Sequence, residues 1–413
     1  MDMTRKKLWI WIQIIVAATL LGLVVGHVME NLPKNSRKAK YIFLFIGDGM
    51  GHGHVALAES YLSYKEGKLG GEQLSFSEFP VYGTCTTHSM DYSVTCSAAA
   101  GTAIACGQKT NNNYIGVDVN GQPLKSVAFD LKEEGYNIGI MSNVQVNHAT
   151  PGAFYSHQDS RNKYYEIGTE LAASGFDFFA GSGFYKPRGN KGEDKEPLDE
   201  YIEKAGYEVC YGLEEYNEEK DSADKIVFIQ ESGRSEDTDF YESNGREAED
   251  ISLAEMVELS LEFMGDEKPF FIMCEGGEID WAGHDNQTMS AVQEILGLEE
   301  AVNVAIDFYN RHPDETLIIV TADHATGGVT LGQGREWIPE NFRWDMIEAK
   351  WEETDGGQLP FEENKALNDR SQIGWTTSNH TGEPVPVFAK GKGAERFMGR
   401  MDNSDIKGKI LGK

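Results

Sequence analysis

The chain has 413 residues, enough to bury a large core as one domain or two. Its 67 Asp and Glu against 37 Lys and Arg leave a net charge of −30, a surface that repels nucleic-acid phosphates and excludes sequence-independent DNA or RNA binding. An anionic small substrate needs local compensation on such a protein, which bound divalent cations can supply.

Residues 1–30 read as a membrane anchor or signal peptide. Leu8 to Gly26 is almost entirely apolar, with Gln13 its one strongly polar interruption, and Arg5, Lys6 and Lys7 precede it. The stretch is long for a signal-peptide core and no A-x-A cleavage site follows, which favours an uncleaved anchor over cleaved secretion. An extracytoplasmic domain, membrane-anchored or secreted, is expected. Flanking charge does not set the orientation, because Lys34 to Lys40 is basic too. Residues 31–40 form that basic linker, and residues 41–413 form the folded domain. Five cysteines lie far apart with no CxxC pair, so neither a disulfide scaffold nor a zinc finger is expected.

The domain opens with Tyr41-Ile-Phe-Leu-Phe-Ile46, a strand buried on both faces. It breaks into Gly47-Asp48-Gly49, where the backbone must bend sharply. A helix at about Gly53–Tyr64 and a strand near Val81–Thr87 follow. Thr95 to Gly107 then reads as a short helix of small residues with the hydroxyl of Ser97 at its amino end. Free N–H groups and the helix dipole make such an end a seat for an oxyanion, although a serine there is usually only an N-cap.

Strands and helices alternate from there. Helices at Ser126–Glu134, Lys163–Ala173, Ser252–Met264 and Ala291–Tyr309 lead to strands at Asn137–Met141, Phe176–Ala180, Pro269–Cys274 and Glu315–Val320, with a last strand at Val385–Ala389. The alternation predicts an α/β fold: a mostly parallel central sheet with helices on both faces. Between about 186 and 250 the pattern weakens and acids crowd in, which reads as an inserted cap.

Ligands of open parallel sheets bind at the carboxyl ends of strands, and acids and imidazoles recur there. Asp48 follows the first strand. Glu275 follows Cys274 and begins Glu275-Gly-Gly-Glu-Ile-Asp280-Trp281-Ala-Gly-His284. Asp323-His324 follow another strand, and His380 lies in a Ser/Thr loop before the last. One such residue is ordinarily a helix cap or a solvated loop; four at successive strand ends are not explained that way. Asp280 and His284, four apart, reach one ion if locally helical. Mixed Asp/His sets suit zinc, and oxygen-only sets suit magnesium.

From Tyr41 onward the sequence resembles the alkaline phosphatases, through six motifs in order: Phe-Ile-Gly-Asp48-Gly-Met, Thr-Cys-Ser97-Ala-Ala, His148-Ala-Thr150-Pro, Glu275-Gly-Gly-Glu-Ile-Asp280, Thr-Ala-Asp323-His324 and Ser-Asn-His380-Thr-Gly. The resemblance implies a phosphomonoesterase acting on small phosphate monoesters with two zinc ions and one magnesium. Asp280, His284 and His380 match the first zinc site. Asp48, Asp323 and His324 match the second, where Ser97 is the nucleophile. Asp48, Thr150 and Glu275 match the magnesium site, and Arg161 matches the arginine that clamps the phosphate. The family is often dimeric, which makes a homodimer an expected partner state.

Three positions depart from the best-known bacterial members. Cys96 replaces an Asp that helps hold the arginine, so Arg161 is expected to be less constrained. His148 replaces an Asp beside the magnesium site, and Trp281 stands where a Lys assists phosphate binding. A phosphodiesterase or another phosphotransfer enzyme of the same superfamily is the alternative. An inactive membrane-anchored binding protein is disfavoured, because no ligand or nucleophile is missing. A sulfatase is disfavoured because the Cys/Ser-x-Pro-x-Arg pattern is absent.

Overall fold

The computed structural model describes residues 38–190, 193–234, 250–333, 341–354 and 356–413, together with Thr19. The apolar stretch Leu8–Gly26, and with it the expected anchor, lies outside them. Among the described residues no helix is long and apolar enough to cross a membrane.

A ten-stranded sheet runs through the domain. Its strands are β1 (Tyr41–Gly47), β2 (Val81–Thr86), β3 (Asn137–Ser142), β4 (Phe178–Gly181), β5 (Glu208–Tyr211), β6 (Ile226–Ile229), β7 (Phe270–Gly276), β8 (Thr316–Thr321), β13 (Val385–Gly391) and β14 (Gly399–Asp402). The order is β14-β2-β13-β8-β1-β7-β3-β4-β6-β5. The central strands β1, β7 and β8 are buried at every residue, as their unbroken apolar runs require once helices cover both faces. All pairs are parallel except those of β13, which runs antiparallel to both β8 and β2. β13 therefore starts at the edge where its neighbours end, and so the loop carrying His380 arrives at the same edge as Asp48 and Asp323.

Helices fill the crossovers: α1 (His52–Lys65), α2 (Ser97–Cys106), α3 (Val127–Glu133), α4 (Ala149–Gly152), α5 (Tyr164–Ser174), α6 (Leu198–Lys204), α7 (Gly212–Glu219) and α8 (Leu253–Met264). After them come α9 (Glu278–His284), α10 (Thr288–Arg311), α11 (Trp344–Glu353), α12 (Phe361–Arg370) and α13 (Asp405–Ile410). Local chemistry accounts for their limits. Ser252 and Glu255 close a capping box ahead of α8, and Gly107, at φ 71°, ends α2 in the left-handed conformation. The α10 stripe predicted from spacing, Ile295, Leu298, Val302 and Ala305, is buried. Phe308 is buried where Tyr309 was expected, and Tyr309 sits half-exposed beside it.

The described part of 186–250 differs from an inserted cap. Its strands β5 and β6 pair in parallel and continue the sheet beyond β4. They are four residues long, too short for periodicity to mark them against the surrounding acids. Above the carboxyl edge, two small antiparallel pairs form a ledge: β9 (Ala325–Thr326) with β12 (His380–Thr381), and β10 (Val329–Leu331) with β11 (Ile373–Trp375). A second apolar cluster that includes Leu57, Trp344, Leu367 and Ile373 anchors α11 and α12 beside that ledge.

Candidate metal centre

Parallel register carries the chemistry to one level. Ile46 of β1 lies opposite both Glu275 of β7 and Thr321 of β8, and Ser142 of β3 lies opposite Glu275. Asp48 leaves β1 two residues beyond Ile46, and Asp323-His324 leave β8 at the same height. Gly49 makes the turn at φ +73°, and a Cβ there would stand 2.8 Å from Thr326 Oγ1 and 2.9 Å from Asp280 Oδ1. Only glycine fits. Its amide donates to Asp323 Oδ1 at 3.2 Å, and its carbonyl accepts from the Thr326 amide at 3.0 Å.

Two groups of ligand atoms result. His324 Nε2 stands 3.2 Å from Asp48 Oδ1 and 3.3 Å from Asp323 Oδ2, and Ser97 Oγ approaches the same nitrogen at 3.2 Å. Next to this group, His284 Nε2 lies 3.3 Å from Asp280 Oδ2 and 3.2 Å from His380 Nε2, and His380 Nε2 lies 3.6 Å from Asp280 Oδ1. The sets Asp48/Asp323/His324 and Asp280/His324/His380 each offer ligand atoms within 4.8 Å of one another, and the His324 and His380 rings stack at 3.6 Å. His284 Nδ1 faces the Ser378 carbonyl at 2.7 Å, and His380 Nδ1 faces that of Thr95 at 2.8 Å. A carbonyl can only accept, so each Nδ1 carries a proton, which leaves Nε2 as the ring atom that would bind a metal once its own proton is lost.

The electrostatics call for cations. Asp48, Glu275, Asp280 and Asp323 are buried together, and unpaired buried charge is expensive. Burial, with the neighbouring carboxylates of Asp323, Asp280 and Glu275, pushes Asp48 well above its ordinary range. Burial lifts Glu275 and Asp323 to about 7 each. For Asp280, burial is outweighed by the hydrogen bond to His284 and by the nearby His324 and His380, so it stays well below the carboxylate range. The hydrogen bond from His284 to Asp280 lifts His284 to about 9.

A third ligand set shares Asp48 with the second. Asp48 Oδ1, Thr150 Oγ1, Glu275 Oε1 and Asp323 Oδ2 are buried with no hydrogen-bond partner among the described residues. Glu275 Oε2 takes the Ser142 hydroxyl, leaving Oε1 turned to the centre. Three orphaned oxygens belong to the Asp48/Thr150/Glu275 set, an oxygen-only environment that fits magnesium, while the mixed carboxylate and imidazole sets fit zinc.

Ser97 is the first residue of α2, and Cys96, not Ser97, is the N-cap. Every residue of α2 is buried, and small side chains let it approach α4 closely. A Cβ on Gly101 would stand 3.4 Å from the Thr150 Cα. Arg161 meets the site through His148, whose Nε2 takes the Arg161 Nη2 donor at 3.0 Å. A guanidinium only donates, so His148 accepts as a neutral imidazole. Burial and the Arg161 charge hold its pKa down to about 3, in keeping with that role. Arg161 is thus held despite Cys96, contrary to the expectation of a loose arginine. Its backbone is held too. The Arg161 amide donates to the Asn113 carbonyl at 2.7 Å, the Asn113 amide donates to Cys96 Sγ at 3.1 Å, and the Cys96 amide donates to Asn112 Oδ1 at 3.0 Å.

Sequence reasoning missed Asn112, Asn113 and Thr326. Thr326 bonds Asp280 Oδ1 and stands 3.3 Å from His324 Nδ1; its spacing two residues after His324 was the only available signal. A cavity of about 380 Å³ opens over the centre, lined by His148, Arg161, Tyr164, Asp280, Trp281, His284, Asp285, Gln358 and His380. Trp281 is therefore at the site, its ring edge-on to His148 at 6.2 Å.

Comparison with known proteins gives a consistent answer. A family model described as alkaline phosphatase matches residues 39–180 and 184–411. Alkaline phosphatase 4 of Bacillus subtilis is 31% identical over 94% of this chain and 93% of its own length. The repressible alkaline phosphatase of Saccharomyces cerevisiae is 30% identical over 91% of this chain and 81% of its own. Among solved structures, the cold-active alkaline phosphatase of Shewanella sp. superposes with TM-score 0.74 at 28% identity, over 90% of this chain and 98% of its own. A variant of the alkaline phosphatase of the Antarctic bacterium TAB5 with magnesium in its M3 site superposes with TM-score 0.71 at 28% identity, over 91% of this chain and 97% of its own.

Proposed function

This chain belongs to the alkaline phosphatase family and is a phosphomonoester hydrolase, and from that premise we propose that it works through a phosphoserine on Ser97 in a centre of two zinc ions and one magnesium. The observation that carries the reading is the convergence of Ser97 Oγ, Asp48 and Asp323 on His324 Nε2 within 3.3 Å. Asp280, His284 and His380 would hold one zinc, Asp48, Asp323 and His324 the other, and Asp48, Thr150 and Glu275 the magnesium. When bound, these ions supply the positive charge that offsets the buried carboxylates, lowers the Ser97 hydroxyl pKa and stabilises the departing oxygen.

The remaining work falls to the chain. Ser97 Oγ attacks phosphorus in line, forming the O–P bond as the alcohol's O–P bond breaks. Arg161 clamps two non-bridging oxygens, and the unpaired amides of the first turn of α2 face the same charge. His148 keeps the guanidinium aimed, as a neutral acceptor. Water then cleaves the phosphoserine from the opposite side and releases inorganic phosphate.

Leu8–Gly26 supports an extracytoplasmic enzyme held by its amino-terminal segment, and a homodimer is the assembly to test by light scattering. The deciding experiment measures bound metal and hydrolysis of a chromogenic monoester, with and without chelator. A diester and a sulfate ester run in parallel. Monoester turnover should dominate, should vanish on exhaustive chelation, and should fall at least roughly a thousandfold in Ser97→Ala. Activity that survives either treatment sinks the mechanism.

A further inference from the structure

We propose that this site selects monophosphates of uncharged or cationic alcohols and rejects those whose alcohol carries a second anionic group, with Asp285 as the discriminating residue. The inference rests on the phosphatase reading above and concerns the half of the cavity that the chemistry leaves unused. Once the metal ligands, Arg161 and His148 are set aside, the wall consists of Tyr164, Trp281, Asp285 and Gln358. Two aromatic rings, a carboxamide and a carboxylate face whatever leaves. Among the described lining residues Arg161 is the only lysine or arginine, and the transferred phosphoryl group occupies it. Beyond the metal centre and Arg161, a second phosphate or a carboxylate on the alcohol thus meets Asp285 and no further lysine or arginine in the described lining; Lys186, outside that lining, holds its Nζ 5.4 Å from the Tyr164 ring centroid. An ammonium or hydroxyl finds the Asp285 carboxylate, the Gln358 carboxamide and the Trp281 ring, groups that attract cations and hydroxyls.

The wall is built in place. Asp285 is the C-cap of α9, its amide bonded to the Trp281 carbonyl at 3.0 Å. It is exposed, and no lysine or arginine pairs with it among the described residues. A carboxylate at a helix carboxyl end opposes the helix dipole, so its position is not explained by stability of α9. The next residue, Asn286, sits at φ 54° and donates to the Gly283 and Thr377 carbonyls, while its own carbonyl accepts from Asn364 and Asn368. Gln287 bonds both the amide and the carbonyl of Leu359, which ties the segment carrying Gln358 to the chain just beyond α9. Overall charge of −30 adds to the same bias.

The test compares kcat/KM for three two-carbon substrates: ethanolamine phosphate, ethyl phosphate and phosphoglycolate. They are assayed on the metal-loaded wild type, Asp285→Asn and Gln358→Lys. Comparing the ratio of ammonium to carboxylate substrate between proteins cancels intrinsic leaving-group reactivity. Each variant should shift that ratio toward phosphoglycolate by about tenfold, as one unit charge a few ångströms away in a solvent-facing cleft implies. The shift should shrink at high salt. Gln358→Lys keeps the question open to refutation if Asp285→Asn loads zinc poorly, which metal analysis reveals. A ratio unmoved in the properly loaded variants overturns the selectivity while the phosphatase reading stands. Failure of the wild type to hydrolyse a chromogenic monoester overturns both.

Discussion

At the residue scale the buried carboxylates couple metal binding to stability. Glu275 and Asp323 at about 7, and Asp48 above its range, are raised by burial. A carboxyl group raised on folding binds its proton more tightly in the native state. Its contribution is therefore full below the unfolded pKa and is lost as pH rises through the folded one. Metal-free protein should lose stability between about pH 4 and 8 through these groups. Asp280, held low, contributes in the opposite sense and loses its share in acid. Thermal melts from pH 5 to 9 should show the metal-free midpoint falling with pH, and zinc plus magnesium should raise it most above pH 7. A metal-free midpoint that climbs over that range would refute the account. His148 is the second residue with a definite consequence. Removing its Nε2 in His148→Ala leaves Arg161 without that acceptor, so inhibition by inorganic phosphate should weaken several-fold with little change in melting temperature. Phosphate inhibition constants measured beside melting curves separate aiming from folding.

At the element scale the turn carrying Asn113 ties two parts of the site together. Asn113, at φ 73°, joins the N-cap of α2 to the Arg161 backbone. A left-handed conformation suits Gly or Asn and costs about 1 kcal/mol or more for other residues. Asn113→Gly should therefore keep near-normal kcat/KM, whereas Asn113→Val should lower both kcat/KM and stability. Equal behaviour of the two would mean that the turn is incidental. Cys96→Asp places a carboxylate at the same junction and should tighten phosphate inhibition by pairing with Arg161; no tightening would count against that coupling. This junction also marks where sequence legibility ends. Asp48, Glu275 and Asp323 could be read because they end or follow long apolar strands, and topology makes strand ends into sites. Asn113, Thr326 and Gln358 act through loop geometry and the β9–β12 pairing, which no periodicity announces. The antiparallel direction of β13 was hidden for the same reason, since a buried strand looks alike in either sense. The strands β5, β6 and β14 are four residues each, too brief to stand out.

At the scale of the whole molecule, the candidate site is built from described residues that follow Tyr41. β1 starts at Tyr41 and sits between β7 and β8. Asp48 is the first residue of the centre, and no site contact described above involves a residue before it. The apolar run Leu8–Gly26, by contrast, has the length to span a bilayer and is followed by a basic linker. The two parts should separate by function. A chain beginning at residue 38 should retain metal content and monoester kcat/KM within about twofold, because no site contact described above involves the residues removed. The full-length chain should partition into the detergent phase in a cloud-point separation, and the shortened chain should stay in the aqueous phase. Shared partitioning into water would refute the anchor without touching the catalytic reading. Loss of bound zinc on shortening would instead mean that the amino-terminal segment braces the carboxyl edge of the sheet. Measuring metal content and phase partitioning on the same two proteins distinguishes an anchor from a structural arm in one experiment.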